Sequence, residues 1–260
     1  MKKLTIAISA LCLLALSATG QAQTKAERKV LNATEVIQQF TQMPEKKIPP
    51  GLLNSAYGIA IIPDTMKIGF GIGGRRGKGV LMVRRPDGSW SNPSFVTLTG
   101  GSFGWQIGAQ ATDIVLVFRS RKSIDNIART KVTLGGDASV AAGPIGRQTS
   151  AATDEVFKAE IYSYSRNRGL FAGVALDGSV MTMDERTNLE FYRNGNGTAE
   201  DVLMSSTMQA PPLARDLINT MNSAAPRQAM AKIGKTQTAS ASSGSGARTY
   251  GVDDQAGVNY

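Results

Sequence analysis

The stretch KIGFGIGGRRGKGVLMVRRPDGSWSNPSFVTLTGGSFGWQIGAQ, residues 67–110, decides how the rest of the chain is read. Ile68, Phe70 and Ile72 alternate with glycine, which is the period of a strand and not of a helix. Gly79–Arg85 carries Val80, Leu81, Met82 and Val83, and Pro86-Asp87-Gly88 then supplies a turn. Pro presets φ, Asp bonds its own backbone, and Gly accepts positive φ. Two further strands, Ser94–Thr99 and Ser102–Ala109, are expected to join across Gly100-Gly101. Gly69–Gly74 fits the spacing G-x-G-x-x-G. A dinucleotide site needs a helix directly after those glycines, so that its N-terminus meets the pyrophosphate. Arg75–Gly79 and a β-branched run follow instead, so the match is rejected. Repeated glycines in strands point to bulges and sharp bends.

The same block concentrates positive charge. Lys67, Arg75, Arg76, Lys78, Arg84 and Arg85 fall within it, and no acidic residue lies between 67 and 85. The cluster Arg75-Arg76-Gly77-Lys78 reads as a turn between two strands, where backbone N–H groups and Arg forks converge on a phosphate. Arg84 and Arg85 stand at the far end of the same arm. The bland alternative is a solvated loop with a charge-guarded strand edge.

Upstream, Thr24-Lys25-Ala26-Glu27 fits a capping box. Ala26, Val30, Ala33, Ile37 and Phe40 follow on one helical face, and Pro44 ends the helix. Lys25, Arg28 and Lys29 crowd its first turns. Either the apolar face packs on the domain, or the helix lies on a membrane with its cations at the head groups. Lys46–Gly51 reads as a linker, and Tyr57–Ile62 as a strand closed by Pro63-Asp64. Downstream, strands are expected at Asp113–Phe118, Lys131–Leu134, Glu160–Tyr164, Leu170–Leu176 and Val180–Met183, with Asp177-Gly178 as a hairpin turn before the last. Helices are expected after Ser120 or Ser123, over Thr187–Tyr192, from Thr198, and over Pro211–Met221. The fold class is therefore α+β. It has a mostly antiparallel, curved or barrel-like sheet, an N-terminal amphipathic helix and short C-terminal helices. The organisation is a leader at 1–22, a helix and linker at 23–50, a domain at 51–222 and a disordered tail at 223–260.

The leader has a basic start, Lys2-Lys3, an apolar run over Leu4–Leu16 and small residues before a cut at Gln23 or Gln21. This is the pattern of a secretory signal peptide, and it places the mature protein in the periplasm, soluble or peripheral to a membrane. Cys12, the lone cysteine, goes with it. Without histidine or a mature thiol, zinc sites built on nitrogen or sulfur and Ser-His or Cys-His catalysis are excluded. The acids are scattered, and no pair is spaced for glycoside hydrolysis. No cofactor is expected. The chain carries 29 basic and 20 acidic residues, a net +9. Outside the cytoplasm that balance points to anionic lipid head groups or envelope polymers, and not to nucleic acid.

From Gly58 to about Tyr192 the residues resemble the SYLF, or Ysc84 actin-binding, domain. The matching segments are GIAIIP (58–63), GGRRGKGVLMVR (73–84), WSNPSFVTLTGGSFGWQIGAQATDIVLVF (90–118), TLGGDASVAAGPIGR (133–147), SAATDEVFKAEIYSYSRNRGLFAGVALDG (150–178) and MDERTN (183–188). The resemblance implies a non-catalytic module that recognises phosphoinositides and, in some eukaryotic members, binds actin. It implies a lipid contact through a basic amphipathic N-terminal helix, here Lys25, Arg28 and Lys29, with Val30, Ile37 and Phe40 on its apolar face. With an export signal and no SH3 or FYVE segment, actin is not the expected partner. The expectation is an exported module bound to anionic phospholipid through Lys25, Arg28, Lys29, Arg75, Arg76, Lys78, Arg84 and Arg85. An envelope protein or glycan read by the same basic face is the alternative.

Overall fold

One long hairpin sets the architecture. Strand β1 (Gly58–Val83) has 26 residues and β2 (Ser94–Phe118) has 25. They pair antiparallel from Gly58 opposite Phe118 to Leu81 opposite Ser94. Laid straight, such a ribbon would run about 85 Å at the usual rise per residue. It doubles back instead. The Arg84 N–H donates to the Tyr57 carbonyl at 2.8 Å, so the two ends of β1 lie beside one another. Gly79 makes that approach possible, because a Cβ there would collide with the Ile61 carbonyl oxygen. This is a computed structural model, and it describes residues 23–42, 48–129, 131–144, 158–167, 170–193, 197–205 and 207–226, with the main chain alone at 69–72, 102–109, 129, 170, 171 and 173.

The sequence reading broke this ribbon into six strands. It is two, because the expected terminators are irregularities inside a continuous ladder. Pro63-Asp64 forms a bulge where the register shifts between Ile62 and Thr65, and Asp64 takes φ 50°. A bulge frees Pro63 from the need to donate. Asp113 pins the bulge, its carboxylate accepting from the Asp64 N–H at 3.1 Å. The second shift falls between Gly69 and Gly71. Gly100-Gly101 is strand, and so is Arg75–Lys78, which was expected to turn. The real turn is Pro86-Asp87-Gly88, as the sequence indicates. Gly88 has φ 80°, and Asp87 accepts from the Ser89 N–H at 2.8 Å.

Among the described residues the strands form one curled, mixed sheet. Val96–Thr99 of β2 pairs with β7 (Val180–Met183), which pairs with β3 (Lys131–Thr133). Asp113–Phe118 pairs with β5 (Ile161–Asn167), whose other partners are β6 (Leu170–Gly173) and β4 (Val140–Ala142). Only β4 against β5 is parallel among these pairs. The α+β class with a curved, mostly antiparallel sheet is as expected. Asp177-Gly178 does turn the chain, with Gly178 at φ 75°. It makes no β6–β7 hairpin, since β6 returns to β5 and β7 goes to β2 and β3.

Over 59–62, 80–83 and 114–118 both faces of the sheet are covered, which explains the near-continuous apolar runs GIAIIP, GVLMV and DIVLVF. Ile59, Ile61, Val80, Met82, Val115 and Val117 face α1 (Lys25–Gln42), α2 (Pro50–Asn54) and α6 (Pro212–Ala224). Ala60, Ile62, Leu81, Val83, Ile114, Leu116 and Phe118 face α3 (Arg121–Arg129) and α5 (Ala199–Met204). Part of the expected linker is thus helix, with Pro50 at its first turn, where a missing N–H costs nothing. A further helix, α4 (Glu185–Tyr192), is capped by Asp184. The predicted leader at 1–22, the linker residues 43–47 and the tail from 227 lie outside the described residues.

Helix α1 settles on the first of its two readings. The capping box is reciprocal: Thr24 Oγ1 accepts from the Glu27 N–H at 3.1 Å, and Glu27 Oε2 from the Thr24 N–H at 2.8 Å. Ala26, Val30, Ala33, Val36, Ile37 and Phe40 are all buried. In this conformation the apolar face belongs to the core and is not offered to a membrane. Phe40→Ala should therefore cost about 3–5 kcal/mol in urea unfolding, the range for a buried phenylalanine. A helix lying free on a surface would lose almost nothing.

Candidate anion-binding groove

The N-terminal turns of α1 run past the β1 bulge and the start of α4, leaving an open groove of about 730 Å³. Lys25, Arg28, Lys29 and Asn32 come from α1, Asp64 and Lys78 from β1, Phe95 and Val96 from β2, and Asp184, Arg186, Thr187 and Glu190 from α4 and its cap. Two basic clusters far apart in sequence, 25–29 and Lys78, thus meet at one place.

Most charges in the groove are matched. Lys29 lies 3.8 Å from Asp64, whose carboxylate also accepts from Asn32 at 3.0 Å. Lys78 donates to Asp184 Oδ2 at 2.6 Å, and Arg186 to Glu190 at 3.2 Å. Lys25 and Arg28 have no such partner among the described residues, and both are exposed. Asp184 is the hinge of the wall. Its other oxygen caps α4 by accepting from the Thr187 N–H at 3.2 Å. Burial alone would raise its carboxyl, but the hydrogen bonds from Lys78 and Thr187 outweigh that and hold it below the ordinary carboxylate range.

The remaining expected contacts sit elsewhere. Arg76 is exposed on β1, opposite Thr99. Arg75 is half-buried. It donates to the Ala175 carbonyl at 3.4 Å, its Nε is buried without a partner, and burial lowers its pKa. Because Arg75–Lys78 is strand, its backbone groups belong to a ladder and do not form an anion-binding turn. Arg84 stacks 4.2 Å from the Trp90 ring and donates to the carbonyls of Ala56, Gly88 and Ala225. Arg85 donates to the Ser205 carbonyl at 2.7 Å. These two arginines tie the hairpin turn to the ends of α5 and α6.

The acids are placed structurally as well. Asp113 takes a forked contact from Arg166, with Nη2 at 2.6 Å and Nε at 3.1 Å. Asp137 accepts from the Thr133 N–H at 2.7 Å, and Glu160 from the Ser139 N–H at 3.0 Å. Among the described residues no three His, Cys, Asp or Glu side chains are grouped to hold a metal. No helix among them is long and apolar enough to cross a membrane. The sequence reading missed Asp64, Asp184 and Glu190 as members of the groove. Only the pairing of distant segments brings them there.

The described residues form a curled β-sheet clad in helices, with a charged groove lined from α1, β1, β2 and α4. Residues 99–224 match the family described as Ysc84, Las17-binding protein actin regulator. The chain is 35% identical over 184 residues to Protein YSC84 of Saccharomyces cerevisiae, covering 70% of this chain and 39% of that one. It is 34% identical over 205 residues to the human SH3 domain-containing YSC84-like protein 1, covering 76% and 58%. An SH3 domain-containing protein of Schizosaccharomyces pombe is 40% identical over 182 residues, covering 69% and 42%. The chain carries a domain of the Ysc84, or SYLF, family. It spans about two-fifths to three-fifths of the length of these curated relatives. The family's description speaks of binding and regulation.

The Lys78–Asp184 pair makes a pH prediction. A carboxyl held low in the fold contributes stability above its unfolded pKa, and loses it as pH falls through the folded value. Asp184→Asn keeps a competent cap and removes the charge. The variant should be less stable than the parent at pH 7, and the gap should close as pH drops below the carboxylate range. Urea unfolding at both pH values measures it.

Proposed function

We propose that this chain is a non-catalytic, exported module that holds anionic phospholipid at a membrane surface. The observation that carries the reading is the pair of exposed cations, Lys25 and Arg28, that line the groove without partners among the described residues. Lys78 and Arg186 stand behind them, already held by carboxylates that a phosphate would have to displace. A phosphorylated head group fits this arrangement because its oxygens accept from several cations at once. Arg76 extends the basic surface beyond the groove, whereas Arg84 and Arg85 are committed to the fold.

Asp64, Asp184 and Glu190 on the walls disfavour a densely acidic glycan, which places that partner second. The description of the family speaks of Las17 and actin regulation. The periplasmic location proposed from the leader would separate this chain from both.

Co-sedimentation with liposomes tests the reading. Binding should appear on anionic vesicles, be absent on neutral ones, and weaken as salt rises. Lys25→Gln with Arg28→Gln should weaken it about thirtyfold, from ~1 kcal/mol for each surface cation. No binding to anionic vesicles at low salt would overturn the proposal.

A further inference from the structure

The bulge that brings Asp64 to the groove is followed at once by two exposed apolar side chains. Met66 is 40% exposed and Ile68 is 61% exposed. On a strand they project to the same side. The register sets Met66 directly opposite Ala111 on β2, which is also exposed. Lys67, between them, projects to the other side opposite Gln110. Elsewhere along β1, Ile59, Ile61, Ile62, Val80, Leu81 and Met82 are wholly buried. Among the described side chains of β1, Met66 and Ile68 are the large apolar ones left in water.

Their neighbourhood identifies the occupant. Asp64, two residues before Met66, lines the groove and is held by Lys29 and Asn32 of α1. An exposed apolar step thus begins two residues along β1 from the groove that Lys25 and Arg28 line. Apolar side chains flanked by cations complement an anionic bilayer, whose phosphates lie just outside its acyl region. We infer that Met66 and Ile68 enter the bilayer as an apolar anchor while the groove holds head groups above them. This rests on the lipid-binding reading of the groove and assigns the depth and orientation of the bound chain. Strand β1 lies with its bulge towards the membrane.

The test places an NBD fluorophore at Ile68→Cys in the full chain, with Cys12→Ser removing the native thiol. A matched label at Glu200→Cys, an exposed position on α5, serves as control. On vesicles of phosphatidylglycerol and phosphatidylcholine, the label at 68 should shift to the blue and be quenched by spin-labelled acyl chains. The label at 200 should do neither. The unlabelled Met66→Ser with Ile68→Ser variant should bind on the order of tenfold more weakly, at low and high salt alike, because apolar transfer is not screened. Lys25→Gln with Arg28→Gln should lose only the salt-sensitive part. A label at 68 that stays in water while the chain sediments with vesicles overturns the anchor and leaves the groove standing. A chain that binds no anionic vesicle overturns both.

Discussion

The fold depends on the ability of the β1–β2 ribbon to bend back on itself. A hairpin of this length has two faces and two edges to satisfy, and no small domain can cover it straight. Doubling it brings the ends of β1 within hydrogen-bond reach, with Arg84 donating to Tyr57, and places each half beside a partner. The close backbone approach at Gly79 and the register shifts at Ile62/Thr65 and Gly69/Gly71 permit the bend. Once the ribbon is folded over, both faces need cover. The helices divide accordingly, with α1, α2 and α6 on one side and α3 and α5 on the other.

The same bend sorts the positive charge. Basic residues that look like one patch over 67–85 serve different ends. Arg84 and Arg85 satisfy main-chain carbonyls at helix ends. Arg75 is drawn in towards Ala175. Lys78 crosses to Asp184 and stiffens the wall of the groove. Of the groove's cations, those left without partners among the described residues are on α1, where the capping box fixes the first turn and the buried face fixes its roll. Lys25 and Arg28 are thus presented by a helix whose position the core dictates.

Features encoded within three or four residues were legible in the sequence. The Thr24–Glu27 box, the Pro86-Asp87-Gly88 turn, the Thr198 cap that accepts from Asp201, and strand β7 over Val180–Met183 all form as expected. The same local logic misled at Pro63-Asp64 and Gly100-Gly101. A terminator and a bulge use identical residue types, and only the partner strand distinguishes them. The groove was half legible. Lys25, Arg28, Lys29 and Lys78 were singled out and Arg186 was not, and Lys78 and Asp184 are 106 residues apart, so nothing local announces their meeting. The roles of Arg84 and Arg85 were hidden for a related reason. Their acceptors are backbone carbonyls, which carry no side-chain signature.

The junction at Ala225 has a mechanical meaning. Its carbonyl accepts from both Arg84 and Trp90, at 3.3 Å and 3.4 Å, where α6 ends. A force applied to the chain beyond this point would not simply peel α6 from the sheet turn by turn. It would first load a clamp at the tip of the hairpin, where the arginine is stacked on the indole and bonded at several carbonyls. Those contacts would have to yield together. The end of α6 is therefore fastened to the hairpin on which the fold is built, so pulling there strains the centre of the fold and not its margin.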